Sequence, residues 1–200
     1  MRSLSQRSHW ATQRAIRPIS LLCVPYKILE GLIYARVDPI IDPLLPRDQA
    51  GFRHGRSAVD QVTLLTQDIK DSFSAKKKAG AVFFDLTAAY DTVWHCGLTC
   101  KLLLLLPDRH MVRITMEMVG NRSFTLTIRN GQRSRLRRFK NSVTHGSFLA
   151  PLHFNIYMSD MPTTIFRKYA YADDLAIMHA DGHSQTVEGA LSKRGHGNAR

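Results

Sequence analysis

The sequence has little cysteine and no long apolar run, and each scarcity excludes a class of protein. Its three cysteines, Cys23, Cys96 and Cys100, show no CxxC spacing, and its nine histidines are scattered. An odd number of scattered cysteines argues against a disulfide-built secreted domain and against a zinc site. No stretch reaches the roughly 18 apolar residues that a membrane-spanning helix needs. We therefore expect a nuclear or cytoplasmic protein that is not secreted and does not span a membrane.

Acidic residues are also scarce. Asp and Glu number 16 against 28 Lys and Arg, which gives a net charge of +12. Such a surplus favours polyanionic partners, nucleic acid before an acidic membrane, and the alternative is a basic surface that only keeps the protein soluble. The acid-free stretch 1–29 resembles a mitochondrial transit peptide, but we favour a ragged start inside a longer reading frame.

What is present indicates a globular α+β chain. Hydrophobic residues make up 44% of the 200 residues, enough for one domain core or for two small subdomains. Apolar spacing predicts helices over 17–45, 58–75, 97–106, 108–120 and 149–161, the second of them capped by Ser57. Strands are predicted over 79–85 and 122–129, the latter turning at Asn130-Gly131. After Asp181 the pattern dissolves among glycines, which predicts a flexible tail over 181–200.

Two stretches could deliver carboxylates to one place. Asp85 ends an apolar strand, and Asp173 and Asp174 occupy the tip of a predicted hairpin. Adjacent carboxylates repel one another, so such a pair needs either a cation or open water. If the two strands are neighbours, the three carboxylates form a site for hard divalent cations such as Mg²⁺. The alternative is a solvated acidic turn, and spacing alone does not choose between the two.

Two basic segments are candidates for contacts with phosphate. The glycine-rich stretch 51–56 carries Arg53 and Arg56, whose guanidinium groups could bind phosphate together with backbone amides. The return strand of the predicted hairpin at Asn130-Gly131 carries five basic residues that could track a nucleic-acid backbone. They are Arg133, Arg135, Arg137, Arg138 and Lys140. The alternatives are a plain surface turn and a solvated strand face.

Six motifs follow one another along the chain. They are Arg17-Pro18-Ile19-Ser20, Gln49-Ala50-Gly51-Phe52-Arg53, Gly55-Arg56-Ser57, Phe84-Asp85-Leu86-Thr87-Ala88-Ala89-Tyr90-Asp91-Thr92-Val93, Leu149-Ala150-Pro151-Leu152 and Tyr171-Ala172-Asp173-Asp174. In this order they resemble the reverse transcriptases of non-LTR retrotransposons of the LINE-type, jockey-like kind, over residues 17–180. The resemblance implies an RNA-directed DNA polymerase that adds dNTPs to a DNA primer on an RNA template.

The resemblance also implies a right-hand polymerase fold. We expect a fingers-like subdomain over 1–80, irregular at 1–16, and a palm-like subdomain over 81–180 with an antiparallel, ferredoxin-like sheet backed by helices. Because the chain ends soon after the last motif, we expect no thumb, and a truncated, partly divergent copy of impaired activity. Two rival interpretations stay open. One is a catalytically inactive nucleic-acid-binding remnant, and the other, weaker one is an unrelated palm-like nucleotidyl cyclase.

The family's metal site carries over onto four residues. Asp85 and Asp173 match the metal-binding aspartates, Asp174 matches the neighbouring acid, and the backbone carbonyl of Leu86 is a candidate extra ligand. The resemblance implies two Mg²⁺ ions, with Mn²⁺ as a possible substitute. Asp91 also matches a family residue, but its position before an apolar stretch favours a helix N-cap.

The family's nucleotide pocket carries over less completely. Tyr90 matches an aromatic residue that stands against the sugar C2′, and the alternative for it is a core aromatic. Arg17 matches a basic residue on the triphosphate. Gly146 and Ser147 match the end of a motif in which Thr144 and His145 here replace the usual Pro and Gln.

Overall fold

The computed structural model describes residues 20–86, 88–120, 122–125, 132–138, 141–161 and 166–195. Its helices are α1 (Val24–Ile41), α2 (Ala58–Ser74), α3 (His95–Leu105), α4 (Arg109–Gly120), α5 (Ala150–Tyr157) and α6 (Ser184–Gly195). Its strands are β1 (Lys78–Asp85), β2 (Ser123–Phe124), β3 (Arg137–Arg138), β4 (Arg167–Tyr171) and β5 (Asp174–Asp181). Short 3₁₀ helices cover Asp42–Leu44 and Ala89–Thr92.

Local capping explains where two of the helices begin. The Ser57 hydroxyl accepts from the Asp60 N–H while the Asp60 carboxylate accepts from the Ser57 N–H, so the predicted capping box is confirmed. The Asp108 carboxylate likewise accepts from the His110 N–H, 2.8 Å away, at the start of α4. These caps satisfy backbone donors that the first helical turn leaves free.

The sheet is antiparallel and has the strand order β1-β5-β4. The predicted hairpin is confirmed as β4 and β5, with Ala172 and Asp173 between the strands. Strand β1 pairs along the whole of β5, from Lys78 opposite Asp181 to Asp85 opposite Asp174. The condition on which a shared carboxylate site depends, that the strand 79–85 and the hairpin are neighbours, is therefore met.

Helices cover both faces of this sheet. Leu65 and Ile69 of α2 pack on one face, against a cluster formed by Tyr169, Ala176 and Met178. On the opposite face, α6 lies over Gly80, where an added Cβ would stand 2.8 Å from a methyl group of Val187. Because side chains alternate between the faces of a strand, Gly80 belongs to the face opposite Ala79 and α2.

The predicted flexible tail over 181–200 was wrong for residues 184–195, which form α6. Val187 is buried against the sheet, and Leu191 follows it four residues later, one helical turn on. Gly80 makes room for both side chains. Two apolar residues among glycines gave too weak a pattern for the sequence to indicate this helix.

A second, larger core lies among the helices α1, α3, α4 and α5. Its fully buried members include Ile41, Leu98, Leu102, Phe154 and Ile156. Hydrophobic burial of this kind is the main favourable term in folding. Among the described residues, no helix combines the length and apolar character that crossing a bilayer requires.

Candidate catalytic carboxylates and nucleic-acid interface

The register of β1 and β5 brings the predicted carboxylates to one end of the sheet. Asp85 lies directly opposite Asp174, which places the two Cβ atoms about 5 Å apart. Asp173 precedes Asp174 in the turn, and its backbone carbonyl accepts a hydrogen bond from the Leu86 N–H, 3.4 Å away. Asp85 and Asp174 are exposed, and Asp173 is half-buried.

The donor set is one that a hard divalent cation can share with water and a substrate. Among the described residues, no three acidic, histidine or cysteine side chains stand close enough to hold a metal ion by themselves. Mg²⁺ commonly takes only one or two carboxylates together with water and substrate phosphates. Asp85 and Asp174 supply two such carboxylates from neighbouring strands, each solvent-exposed at the same sheet end.

Tyr90 stands beside these carboxylates, in the 3₁₀ turn Ala89–Thr92. Its ring centroid lies 5.4 Å from that of Phe154, 5.0 Å from that of His145 and 6.3 Å from that of Phe52. Burial, with a smaller contribution from the charge of Asp173, raises the pKa of Tyr90 to about 12. The phenol is therefore neutral at physiological pH, and its ring is held from three sides.

The prediction that Asp91 caps a helix was wrong. Helix α3 begins at His95 after Trp94, and Asp91 lies inside the 3₁₀ turn with an exposed carboxylate. That carboxylate stands 3.7 Å from Nε2 of His145. The contact arises because the segment at Ser142 and Val143 pairs by backbone hydrogen bonds with residues 90–93.

The loop that carries Gly146 and Ser147 is held against α1 by hydrogen bonds to Glu30. Gly146 has a φ of 94°, a left-handed conformation that suits glycine. The Ser147 hydroxyl donates to Glu30, whose other carboxylate oxygen accepts from the Phe148 N–H at 2.8 Å. Glu30 is 1% exposed and stands 3.7 Å from the guanidinium of Arg122. Ser147 thus has its hydroxyl occupied within the protein, and the expected substrate contact there is left to Gly146.

The predicted phosphate contact of Arg53 does not fit its position. Arg53 is 8% exposed, and its guanidinium donates to the Asp42 carboxylate and to the backbone carbonyls of Asp42, Pro46 and Gln49. The carboxylate partner removes the need for an external anion. Arg53 is therefore a structural residue of the loop, which the sequence pattern of glycine and arginine could not reveal.

The other predicted basic residues are exposed wherever the structure describes them. Arg56 is exposed and donates to the Arg47 carbonyl. Arg133, Arg135, Arg137 and Arg138 are all exposed. The last two form β3, which pairs antiparallel with β2, so the predicted hairpin is confirmed at its base. Arg17, Lys140 and the turn at Asn130-Gly131 lie outside the described residues.

Comparison with known protein families shows which family the chain belongs to. Residues 9–194 match the family described as reverse transcriptase (RNA-dependent DNA polymerase). The chain belongs to the reverse transcriptase family. The family resemblance seen in the ordered motifs is thereby confirmed.

Curated relatives of this reverse transcriptase domain come from Drosophila mobile elements. It is 35% identical over 175 residues to the probable RNA-directed DNA polymerase from transposon BS of Drosophila melanogaster. It is 31% identical over 173 residues to the RNA-directed DNA polymerase from mobile element jockey of Drosophila funebris. The matches cover 82% and 81% of this chain but only 19% of each relative.

Solved structures similar to the reverse transcriptase domain include two telomerases. Telomerase from Candida albicans, in complex with a fragment of telomeric RNA, aligns with a TM-score of 0.57 at 13% identity, over 84% of this chain and 32% of that one. Apo telomerase from Candida tropicalis aligns with a TM-score of 0.55 at 12% identity, over 95% of this chain and 36% of that one. At these identities the likeness shows the fold, a mixture of helices and antiparallel sheet.

Two supporting residues of this reverse transcriptase domain escaped the sequence analysis. Glu30 is the first acid in the chain and stands among the apolar residues Ile28, Leu29, Leu32 and Ile33, which is the signal that could have marked it as buried and paired. Gln49 belongs to one of the six motifs, but nothing in its local pattern indicates that its side chain contacts Ala172, which lies 123 residues later in the chain.

Proposed function

We propose that this domain carries out RNA-directed DNA polymerisation, in which a primer 3′-hydroxyl attacks the α-phosphate of a dNTP. The observation that carries the proposal is the pairing of Asp85 with Asp174 at one sheet end in a member of the reverse transcriptase family. The chain spans 19% of the length of its two Drosophila relatives, whose names support the proposal.

Asp85, Asp173, Asp174 and the Leu86 carbonyl would hold two Mg²⁺ ions, or Mn²⁺ in their place. Such ions, when bound, favour deprotonation of an attacking hydroxyl and stabilise charge on a leaving phosphate oxygen. The contribution of the chain is to present carboxylate oxygens that have no competing protein partner among the described residues. Strand pairing fixes where Asp85 and Asp174 stand, so little ordering remains to be done on binding.

Tyr90 would exclude ribonucleotides by occupying the space of a 2′-hydroxyl. Its ring is braced by Phe154 and His145, which limits how far it can swing away. Since its phenol stays neutral, the ring adds no charge to the dNTP site. Gly146, exposed and without a side chain, would allow close backbone approach of the incoming base pair.

Residues up to 80 would act as fingers and residues 81–180 as palm. Nucleic acid would bind through the exposed arginines. Arg133, Arg135, Arg137 and Arg138 can neutralise backbone phosphates and release counterions. Their guanidinium groups read charge and not sequence. An RNA template paired with a DNA primer is the partner that the family implies.

Primer extension tests the proposal directly. The 200-residue chain is mixed with an RNA template, an annealed DNA primer, dNTPs and Mg²⁺, and the extended primer is measured. Because we expect an impaired copy, the unaltered chain and Asp181→Asn should add only a few nucleotides, and Asp85→Asn should add none. Asp181 lies at the other end of the same β1–β5 ladder, opposite Lys78, and so controls for the substitution itself. Equal incorporation by both variants would refute the proposed role of Asp85.

A second candidate function is nucleic-acid binding without synthesis. The exposed arginines of β3 and its neighbourhood favour it, because they can bind phosphate whether or not the carboxylates are competent. Thr144 and His145 also stand where the family commonly has Pro and Gln, a departure that would weaken nucleotide positioning. Salt-dependent binding of primer–template, with no Mg²⁺-dependent extension in any variant, is the outcome that selects this candidate.

A further inference from the structure

The segment 48–51 runs beside β4 and forms an additional, parallel connection to the sheet. Gln49 bridges to Ala170, the Ala50 N–H donates to the Ala170 carbonyl at 2.9 Å, and the Ala170 N–H donates to the Asp48 carbonyl at 2.9 Å. Gln49 is 4% exposed. Its side chain is therefore enclosed at the edge of the hairpin that carries Asp173 and Asp174.

The buried amide of Gln49 holds both backbone polar groups of Ala172. Its Oε1 accepts from the Ala172 N–H at 3.0 Å and from the Gly51 N–H at 2.9 Å. Its Nε2 donates to the Ala172 carbonyl at 3.1 Å. A carboxamide carries its uncharged donor and its uncharged acceptor on separate atoms, so Gln49 can bond the N–H and the carbonyl of Ala172 at the same time.

Ala172 needs such support because its backbone is strained. Its φ is 58°, in the left-handed region that residues with a Cβ rarely adopt. Strained conformations persist where surrounding contacts over-determine them. Here the amide of Gln49 binds both sides of the strained residue, immediately before the carboxylate turn.

Gly51 makes the approach of this segment possible. A Cβ at Gly51 would stand 2.0 Å from the Ala172 nitrogen, closer than two atoms can approach without bonding. The Gly51 carbonyl is held from the other side by Nδ2 of Asn155, 2.9 Å away on α5. The helical core is thereby connected through Gly51 and Gln49 to the turn.

We propose that Gln49 is a positioning residue, which fixes the conformation of Ala172 and so sets where the carboxylates of Asp173 and Asp174 stand relative to Asp85. The claim that these carboxylates bind divalent cations rests on the proposed function. The claim that Gln49 holds the turn rests on the hydrogen bonds alone. The two claims can therefore fail separately.

The test compares Gln49→Met with the unaltered 200-residue chain. Methionine has a similar length and volume but neither donates nor accepts strongly, so it removes the contacts to Ala172 while filling the space. Two measurements are made: amide hydrogen exchange at Ala172 relative to Ala176 in the middle of β5, by NMR, and Mn²⁺ binding, by electron paramagnetic resonance. Leu102→Ala, in the other core, controls for a general loss of stability. Asp173→Asn reports whether the carboxylates bind the ion at all.

We expect Gln49→Met to speed exchange at Ala172 relative to Ala176 and to weaken Mn²⁺ binding, each by roughly threefold or more, a change that the net loss of one of the three hydrogen bonds would already give. Leu102→Ala should change neither the exchange ratio nor the Mn²⁺ affinity. Unchanged relative exchange at Ala172 in Gln49→Met would overturn the proposal.

The remaining outcomes separate the two claims. Faster exchange with unaltered Mn²⁺ affinity, while Asp173→Asn binds less Mn²⁺, would also overturn the proposal, since the turn would then be loosened without consequence for the ligands. If Asp173→Asn binds Mn²⁺ as the unaltered chain does, the proposed metal site fails. The exchange ratio then still decides whether Gln49 holds Ala172.

Discussion

At the scale of single residues, Arg53 shows how burial changes the role of a basic side chain. An arginine between glycines suggests a phosphate ligand, but here all three guanidinium nitrogens donate to Asp42 or to a backbone carbonyl. The hydrogen bond from Arg53, with its charge, lowers the pKa of Asp42. Arg53 closes the loop that begins after α1, whereas Arg56 nearby remains exposed.

Arg53 and Arg56 therefore give a matched pair of variants. We expect Arg53→Ala to lower the free energy of unfolding by about 2–4 kcal/mol, because it leaves buried carbonyls and a carboxylate without their donor. Arg56→Ala should change the free energy of unfolding little and weaken binding to primer–template. Urea unfolding and binding at fixed salt measure the two effects. A stable Arg53→Ala variant with weakened binding would restore the phosphate-contact interpretation.

Tyr90 gives a second prediction at this scale, in alkaline solution. Its pKa is about 12 in the folded chain against an ordinary value of 10.0. The stabilisation from keeping this phenol neutral is complete below pH 10.0 and is lost as the pH rises towards about 12, because only the unfolded chain releases the proton in that window. We expect Tyr90→Phe, which cannot ionise, to lose less stability than the unaltered chain over the same window. Unfolding at a series of alkaline pH values measures this.

Asp173→Asn is the companion variant for Tyr90. Removing the Asp173 charge should lower the pKa of Tyr90, as followed by tyrosinate absorbance, but leave it raised, since burial is the larger cause. A return of the Tyr90 pKa to its ordinary value of 10.0 would mean that Tyr90 is not buried against Phe154 and His145.

At the scale of elements, the parts that could be predicted are those with local causes. The capping box at Ser57 and the hairpin around Asp173 each depend on residues within a few positions of one another. Helix α6 could not be predicted, because its stabilisation comes from Gly80, far away in the sequence. Asp91 was mistaken for a cap because the 3₁₀ turn around it separates it from α3.

The docking of α6 has a direct test. Val187 is 5% exposed on α6, and Val59 is 71% exposed on α2. We expect Val187→Ala to lower the free energy of unfolding by about 1–3 kcal/mol through lost burial and a residual cavity, and Val59→Ala to change it by less than about 0.5 kcal/mol. Denaturant unfolding of both variants measures the difference. If both substitutions changed the free energy of unfolding equally, Val187 would not be buried between α6 and the sheet.

At the scale of the whole molecule, the order of the motifs was enough to predict the family but not the contacts that join them. Glu30 meets Ser147, and Gln49 meets Ala172, across separations of 117 and 123 residues. Nothing local in a single sequence encodes such contacts, because they depend on how the helical core and the sheet pack. The pairing of Asp85 with Asp174 is also distant in the sequence, and it was predictable only on the condition that the two strands are neighbours.

The net charge of +12 belongs to the same scale. It favours association with nucleic acid in general, and it does not distinguish a polymerase from a binding remnant. Binding of a divalent cation by the carboxylates at the end of β1 and β5 is the property that would separate the two. Asp85 and Asp174 form a local acidic site in a basic chain, and their like charges stand directly opposite each other on neighbouring strands.

The melting temperature with and without Mg²⁺ is the measurement that tests this account most directly. In chelator, Asp85→Asn should be more stable than the unaltered chain by about 0.2–1 kcal/mol, because it relieves the repulsion with Asp174. Added Mg²⁺ should raise the melting temperature of the unaltered chain and of Asp181→Asn, but not that of Asp85→Asn. If Asp85→Asn lowers the melting temperature in chelator and responds to Mg²⁺ as Asp181→Asn does, the carboxylates are not a cation site and the account is wrong.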